Sequence, residues 1–320
     1  MAGASGGALA AQVSLAGGFG FIGAGYGGLE VLQKDIKIAQ ELLKLDESGT
    51  LPIGVGFLAW LLEKAPVADA EKLIDAALDA RIKAVWLAFG ADLGKWIDYI
   101  RRHDRYGVKI FVQLSTPEQL QLALDVWHVD AIIVQGNEAG GHGIGSSLPL
   151  LSLFPLLKAL VPESKSVPVL AAGGLSTGAQ IASLLALGAS GAVVGTRFLV
   201  SHESLYTDTQ KSALIAADSS MSTRSMAFDY ARNTLGWPPG VDGRGLRNDT
   251  VKDFEDGVDI ETLREKTSVA QKAGDASRMV IWAGTGVGLV NQVLPAQDIV
   301  AELHEQCLQH LRRATQCILT

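Results

Sequence analysis

The sequence predicts an α/β fold of the (β/α)8 TIM barrel type, because short apolar runs alternate with longer helical patterns through most of the 320 residues. Most of the short runs are continuously apolar, which is typical of parallel strands buried on both faces. Repeated β-α units require a parallel sheet with crossover helices. The number and regular spacing of the units favour a closed barrel over an open doubly wound sheet.

Seven runs are predicted to be strands, one fewer than the barrel needs. They are Gly18–Gly23, Ile53–Phe57, Ala84–Phe89, Lys109–Leu114, Ala131–Gln135, Pro168–Ala172 and Gly191–Thr196. The missing strand should precede the first helical pattern, where only Met1-Ala2-Gly3 remains. The expected fold is therefore a barrel that lacks most of strand 1, with a helical and loop-rich C-terminal extension.

The helical patterns lie between these runs. They are Gly7–Ala16, Glu30–Leu45, Val67–Ala80, Leu93–Asp104, Pro117–Val126, Leu150–Leu160 and Gly178–Leu187. After Val200 the pattern changes to helices at Thr207–Ala217, Glu255–Ala276 and Ala296–Ala314, with an ordered loop at Trp237–Asn248. We therefore expect a barrel over residues 1–200, an extension over the barrel mouth at 201–290, and a C-terminal helix at 291–320 that packs back on the barrel.

Composition restricts the class of protein. Hydrophobic residues make up 48% and charged residues 19%, so the chain can bury a large core. A net charge of −7 argues against a nucleic-acid partner. The apolar run Leu148–Val161 is interrupted by prolines and is too short to span a membrane. We expect a cytoplasmic protein with neither a membrane nor a nucleic-acid partner; the sequence does not indicate its oligomeric state.

Two glycine-rich turns follow the last two predicted strands. Gly173-Gly174 follows one strand and Gly195-Thr196 ends the next, with a single helix between them. The loops after the last two strands of a TIM barrel commonly bind phosphate. Glycines let backbone N–H groups approach an anion without a Cβ clash. The alternative interpretation is that these glycines only form tight strand-to-helix turns.

A histidine stands in a third glycine-rich loop, Gln135-Gly-Asn-Glu-Ala-Gly-Gly-His142, directly after a predicted strand. Active sites of barrels lie at the carboxyl ends of the strands. A histidine there can accept or donate a proton near neutral pH. An isolated histidine is more often structural, but the flanking glycines leave room for a flat ligand. We therefore predict that His142 is catalytic.

Other motifs are weak or missing. Gly18-Phe-Gly-Phe-Ile-Gly23 matches the dinucleotide pattern G-x-G-x-x-G, but a helical pattern precedes it, so close packing explains it better. The remaining histidines, with Cys307 and Cys317, lack the spacing of metal ligands, and no metal site is predicted. Nucleophile-elbow and P-loop motifs are absent from the sequence.

Together these segments resemble the nitronate monooxygenase family, formerly called 2-nitropropane dioxygenases. The resemblance rests on Met1-Ala-Gly-Ala-Ser-Gly-Gly, Gln135–His142, Ala171-Ala-Gly-Gly-Leu, Gly191-Ala-Val-Val-Gly-Thr-Arg-Phe and Trp282-Ala-Gly-Thr-Gly. It covers nearly the whole chain. It implies an FMN-dependent oxidoreductase that oxidises alkyl nitronates with O₂ to carbonyl compounds and nitrite. Relatives of the superfamily imply two alternatives, an NAD(P)H:quinone reductase and an enoyl-thioester reductase.

The resemblance also implies a set of site residues. The FMN phosphate would contact Gly173, Gly174, Gly195 and Thr196, and His142 would lie beside the flavin as the base for neutral nitroalkanes. The remaining cofactor-binding residues would be Met1, Ala2, Gly3, Gln113, Gln135, Gly140, Gly141 and Ala172.

The chain departs from the family pattern at two places. Members usually carry a strand ending in Pro before Met-Ala-Gly, whereas this sequence begins at that Met. Many members have Lys where Gln113 stands, and a neutral amide would stabilise an anionic reduced flavin less strongly. The first departure leaves a third alternative, a flavin-free degenerate barrel with a binding role.

Overall fold

The computed structural model describes residues 2–45 and 49–318 and contains a parallel sheet of seven strands. Its strands are β1 (Phe21–Ala24), β2 (Leu51–Leu58), β3 (Ile82–Ala88), β4 (Lys109–Leu114), β5 (Ala131–Gln135), β7 (Val169–Ala172) and β8 (Gly191–Val193). They pair in chain order, from β1 to β8. The prediction of an α/β fold with a parallel sheet is confirmed, and two strands, β4 and β5, have the predicted bounds.

The sheet is strongly curled. In a flat sheet β1 and β4 would lie three strand spacings apart, about 14 Å. The ring centroids of Phe21 on β1 and Phe111 on β4 are only 5.7 Å apart. Within the described residues β1 and β8 are the outer strands and do not pair with each other. The carboxyl ends of the seven strands therefore surround one central space, while one side of the curl lacks a strand pairing.

Helices cover the outer face of the sheet. The crossover helices are α1 (Gly7–Leu15), α2 (Gly28–Leu42), α3 (Ala59–Lys64), α4 (Val67–Asp79), α5 (Leu93–His103), α6 (Pro117–Asp125), α7 (Leu150–Lys158) and α8 (Gly178–Ala186). Their apolar faces form the main core with the strands, in which the Trp96 and Phe154 side chains are fully buried. Gly20 permits close packing, since an ideal Cβ there would lie 2.0 Å from the Ala10 carbonyl oxygen.

A second, antiparallel sheet lies in the C-terminal half. It consists of β6 (Gly141–Ile144), β9 (Ser222–Ser225) and β10 (Val241–Leu246), in the order β6-β10-β9. The prediction of a loop at Trp237–Asn248 is wrong for half of that segment, because Val241–Leu246 forms β10. These strands carry glycine and polar side chains in place of an apolar alternation, so their pairing depends on contacts between distant segments.

The remaining helices follow β8. They are α9 (Thr196–Leu199), α10 (Asp208–Ala216), α11 (Ala227–Arg232), α12 (Asp249–Glu255), α13 (Ile260–Ala273) and α14 (Ala296–Ile318). The single helix predicted at Glu255–Ala276 is wrong, because Gly257, at a φ of +77°, separates α12 from α13. Helix α14 lies against α8, where Gly178 N–H donates to Gln306 Oε1 at 3.0 Å. No helix within the described residues is long and apolar enough to cross a membrane.

Candidate active site

A single cavity lies at the carboxyl ends of the parallel strands and contains most of the predicted site residues. Ten of the predicted cofactor-binding positions line it, together with His142: Ala2, Gln113, Gln135, Gly140, Gly141, Ala172, Gly173, Gly174, Gly195 and Thr196. Gly3 is exposed and does not line the cavity, so it is not part of this set. The prediction for Met1 lies outside the described residues.

One end of the cavity is a cradle of glycines after β7 and β8. Gly173 and Gly174 have backbone φ values of +124° and +68°. Residues with a side chain rarely adopt such positive values. An ideal Cβ on Gly195 would have no heavy atom within 4 Å. The backbone conformation of Gly173 and Gly174 therefore shapes the cradle. The open space beside Gly195 can accommodate a group that hydrogen-bonds to the main chain.

Three loops meet at this cradle. The Thr196 hydroxyl accepts a hydrogen bond from Gly284 N–H at 2.9 Å, and Thr285 N–H donates to the Glu138 carbonyl at 3.0 Å. An ideal Cβ on Gly140 would lie 2.5 Å from Gly284 N, so only glycine permits this approach. Because Thr196 Oγ1 accepts from Gly284, its own hydrogen remains available for a ligand.

Neutral amides line the middle of the cavity. The Gln113 side-chain amide donates to Gln135 Oε1 at 2.8 Å, and the Gln135 amide donates to the His142 carbonyl at 3.3 Å. The Ser115 hydroxyl donates to the Gln135 carbonyl at 2.8 Å. These bonds connect the ends of β4 and β5 to the histidine. Of the described residues that line the cavity, His142 is the only one with a titratable side chain.

The His142 ring is held by a buried carboxylate. Its Nε2 lies 3.0 and 2.9 Å from the two oxygens of Asp229, which is completely buried. The Thr234 hydroxyl donates to Asp229 Oδ1 at 2.7 Å, and Arg232 lies 3.6 Å from the same carboxylate. If Nε2 carries the proton and donates it to Asp229, Nδ1 of His142 has a free lone pair. The carboxylate thus fixes both the tautomer and the orientation of the ring.

The antiparallel sheet explains how Asp229 reaches His142. His142 lies on β6 opposite Gly243 of β10, and Gly243 lies opposite Ser225 of β9. Helix α11 begins two residues after β9 and carries Asp229 in its first turn. Sequence reasoning missed Asp229, because neither the three short strands nor α11 has a recognisable pattern. The only local feature that could have indicated Asp229 is its position as an acidic residue in the first turn of a helix.

Aromatic rings surround the imidazole. Trp237 stacks on His142 with ring centroids 3.5 Å apart and an interplanar angle of 11°. Trp282 contacts the same ring edge-on at 4.9 Å. An ideal Cβ on Gly243 would lie 2.6 Å from the Trp282 ring, so glycine at that position permits the contact. Both tryptophans line the cavity and exclude water from one side of the histidine.

Two arginines stabilise the loop that carries His142 by donating hydrogen bonds to its carbonyl groups. Arg224 donates to the carbonyls of Asn137 and Gly143 at 3.1 and 2.7 Å. Arg244 donates to the same Asn137 carbonyl at 3.0 Å. The sequence suggests both arginines, with Arg247, as groups that could meet an anion, but Arg247 pairs with Glu255. None of the three arginines lines the cavity.

The environment favours a neutral His142. Burial lowers the pKa of the imidazole, whereas the Asp229 carboxylate raises it, and the net pKa lies below the ordinary value for histidine. Burial disfavours the charged ring more strongly than the carboxylate favours it. His142 is therefore neutral at neutral pH and can accept a proton at Nδ1.

The arrangement is a proton acceptor beside a glycine-lined cradle at the mouth of a curled α/β sheet. The nitronate monooxygenase family model matches residues 1–306. The chain belongs to the nitronate monooxygenase family. This confirms the resemblance and the prediction of an oxidoreductase, and members of this family depend on flavin.

Named nitronate monooxygenases are similar over almost the full length. Nitronate monooxygenase npaC of Metarhizium robertsii is 33% identical, covering 93% of this chain and 86% of its own. The Neurospora crassa nitronate monooxygenase is 30% identical over 96% of this chain and 87% of its own length. Among solved structures, the nitroalkane oxidase of Streptomyces ansochromogenes superposes with a TM-score of 0.79 at 29% identity, covering 98% of this chain and 95% of the other. FabK of Thermotoga maritima shares the fold, with a TM-score of 0.78 at 24% identity. That superposition covers 99% of this chain and 93% of the FabK chain.

For this family member, Asp229→Asn should change the pH dependence of proton abstraction. The substitution removes the carboxylate that raises the pKa of His142, so the acidic limb of kcat/KM for a neutral nitroalkane should move to lower pH. The plateau should fall about a hundredfold, because the ring loses its charged orienting partner. Steady-state kinetics across pH would measure both effects.

The exposed Asp218 supplies a matched control, since Asp218→Asn changes a carboxylate that has no contact with His142. A purely structural role for Asp229 would lower the plateau without moving the limb. A limb that moves to higher pH would contradict the assigned electrostatics.

Proposed function

We propose that this protein binds FMN and oxidises alkyl nitronates with O₂ to carbonyl compounds and nitrite. The observation that carries the proposal is the shared cavity, which is lined both by the glycine cradle and by His142, whose ring is held by the buried Asp229. Family membership supports the same reaction class.

The residues present fit FMN. Gly173, Gly174 and Gly195 would meet the phosphate through backbone N–H groups, and Thr196 would donate its hydroxyl hydrogen. Ala2, Gly140, Gly141, Ala172 and the amides of Gln113 and Gln135 line the same cavity and would contact the rest of the cofactor. When bound, FMN would supply the acceptor for the substrate's electrons and their route to O₂. No lysine or arginine among the described lining residues neutralises the phosphate, so main-chain dipoles would have to do so.

His142 serves the neutral form of the substrate. An anionic nitronate has already lost its α-proton and needs no base, whereas a nitroalkane must lose that proton first. Nδ1 of His142 would accept it, and Asp229 would stabilise the resulting imidazolium at Nε2. Trp237 and Trp282 would keep water away from the ring while it holds the proton.

We propose that the sheet is a (β/α)8 barrel without its first strand, since its seven strands are parallel, sequential and curled. We also propose that the chain consists of a barrel at 1–200, an extension over the mouth at 201–290 and a C-terminal helix at 291–320. Trp237 and Trp282, which line the cavity, and Asp229, which holds His142, all come from the middle segment, and this supports its placement over the mouth. A cytoplasmic location stays a prediction.

The products of turnover test the function. With butyl-1-nitronate in air, the holoenzyme should consume O₂ and release nitrite together with butanal. An oxygen electrode and assays for both products would measure this. Rapid oxidation of NADH with a quinone or an enoyl thioester, and none of any nitronate, would instead identify a reductase. Protein that neither binds FMN nor turns over any of these substrates would support the flavin-free alternative.

A further inference from the structure

The mouth of the cavity carries a cluster of aromatic side chains that holding FMN and moving a proton do not explain. We define the aromatic wall as Trp60, Phe89 and Trp237. The Trp60 and Trp237 ring centroids are 5.1 Å apart, and those of Phe89 and Trp237 are 5.4 Å apart at 79°. Tyr26 extends the wall outward, 6.3 Å from Trp60. The four rings form one aromatic cluster, in which Phe89 and Trp237 line the cavity and Trp60 and Tyr26 pack behind them.

The backbone fixes this wall at some cost in strain. Phe89 has a φ of +59°, an unusual conformation for a bulky residue. Its carbonyl accepts a hydrogen bond from Trp60 N–H at 3.0 Å, which ties the end of β3 to the start of α3. Strained residues cluster at ligand-binding positions. The strain at Phe89 keeps an aromatic ring at the cavity edge, where Phe89 and Trp237 line the cavity.

Trp237 has an unused polar group. Its indole Nε1 is buried and has no hydrogen-bond partner within the described chain. A buried donor without an acceptor is costly, and a ligand oxygen would satisfy it. The two oxygens of a nitro or nitronate group are acceptors of that kind. Trp237 can therefore present an apolar face to the organic group and a donor to the polar end.

The cations near this wall lie outside the cavity: the Lys64 ammonium lies over the Trp60 ring, 5.9 Å from its centroid, and Trp60 itself does not line the cavity. Among the described lining residues there is no lysine or arginine. The neighbouring Arg232 lies over the Trp282 ring at 4.8 Å and 3.6 Å from the buried Asp229, which balances its charge. A substrate that carries a carboxylate in addition to its nitronate group would lose hydration in the cavity without gaining a salt bridge there. An uncharged hydrocarbon or phenyl group would instead bury apolar surface.

We infer that the preferred substrates are nitronates whose organic group is apolar and uncharged, either a longer alkyl chain or a phenyl ring, and that Trp237 selects for them. This inference rests on the proposed function and adds the substrate class. Propionate 3-nitronate, which carries a carboxylate in addition to its nitronate group, should be a poor substrate.

The test compares kcat/KM of the holoenzyme for three nitronates. Butyl-1-nitronate and the nitronate of phenylnitromethane should each exceed propionate 3-nitronate in kcat/KM by about tenfold or more. Trp237→Ala should reduce that ratio to near one, by lowering kcat/KM for the apolar substrates. Trp237→Phe keeps an apolar ring and should keep most of the preference, so it separates loss of selectivity from misfolding. Tyr106→Ala removes an exposed ring outside the cavity and serves as the matched control.

Two results would overturn the inference in different ways. Equal or faster turnover of propionate 3-nitronate would contradict the substrate class and leave the proposed function intact. If Arg232→Gln then abolished that turnover, Arg232 would be the carboxylate-binding group. If no nitronate is oxidised at all, the proposed function fails and the inference fails with it.

Discussion

His142→Asn should abolish most oxidation of neutral nitroalkanes while leaving FMN bound. The substitution removes the only titratable side chain among the described lining residues and keeps a small polar group in its place. General base catalysis contributes about 10² to 10⁴ in rate, so kcat/KM for 1-nitrobutane should fall by that factor. Butyl-1-nitronate needs no base, and its kcat/KM should change much less. The ratio between the two substrates, measured at one pH, isolates the proton transfer.

The controls separate catalysis from folding. His310→Asn alters an exposed histidine on α14 and should leave both activities unchanged. The flavin spectrum of His142→Asn should match that of the parent protein, because the histidine is not part of the glycine cradle. If 1-nitrobutane and its nitronate lose activity to the same extent, His142 is not acting as the base for the neutral substrate.

Gly195→Val should prevent FMN binding without unfolding the protein. Gly195 has a φ of −111°, which other residues can adopt, and a Cβ there would enter open space. The valine side chain would occupy the cradle where the phosphate is proposed to lie. A hydrogen bond to a charged group contributes about 1.5–3 kcal/mol, so losing two would raise Kd for FMN by roughly 10² to 10⁴. Fluorescence titration of the apoprotein with FMN would measure this change.

The outcome depends on keeping the fold intact. The thermal unfolding midpoint of the apoprotein should be nearly the same for the variant and the parent. Ala301→Val adds a similar volume at an exposed position of α14 and should leave FMN affinity unchanged. Normal FMN affinity in Gly195→Val would contradict the placement of the phosphate.

The parallel sheet could be predicted from sequence because its strands carry their own signal. Runs such as Ala131–Gln135 are buried along their whole length, and the structure returns the predicted bounds. The position of His142 follows from the same logic, since a side chain just after a buried strand lies at the mouth of the sheet. The glycines of the cradle were recognisable because they stand directly after strands.

The surroundings of His142 could not be predicted in the same way. Asp229 and Trp237 are distant from it in the chain and reach it through β9 and β10, which lack apolar periodicity. Their positions depend on long-range pairing, which local propensity does not encode. Gly3, which resemblance alone assigns to the cofactor, is exposed outside the cavity, and its role stays a prediction.

The central claim is that this cavity binds FMN and that the bound flavin accepts electrons from nitronates. The most direct measurement is the visible absorbance spectrum of the purified protein, recorded without oxygen before and after butyl-1-nitronate is added. The spectrum should show the bands of oxidised FMN, which should bleach on addition of the nitronate and return when air is admitted. A colourless protein that takes up no added FMN, or a bound flavin that NADH bleaches and nitronate does not, would contradict the claim.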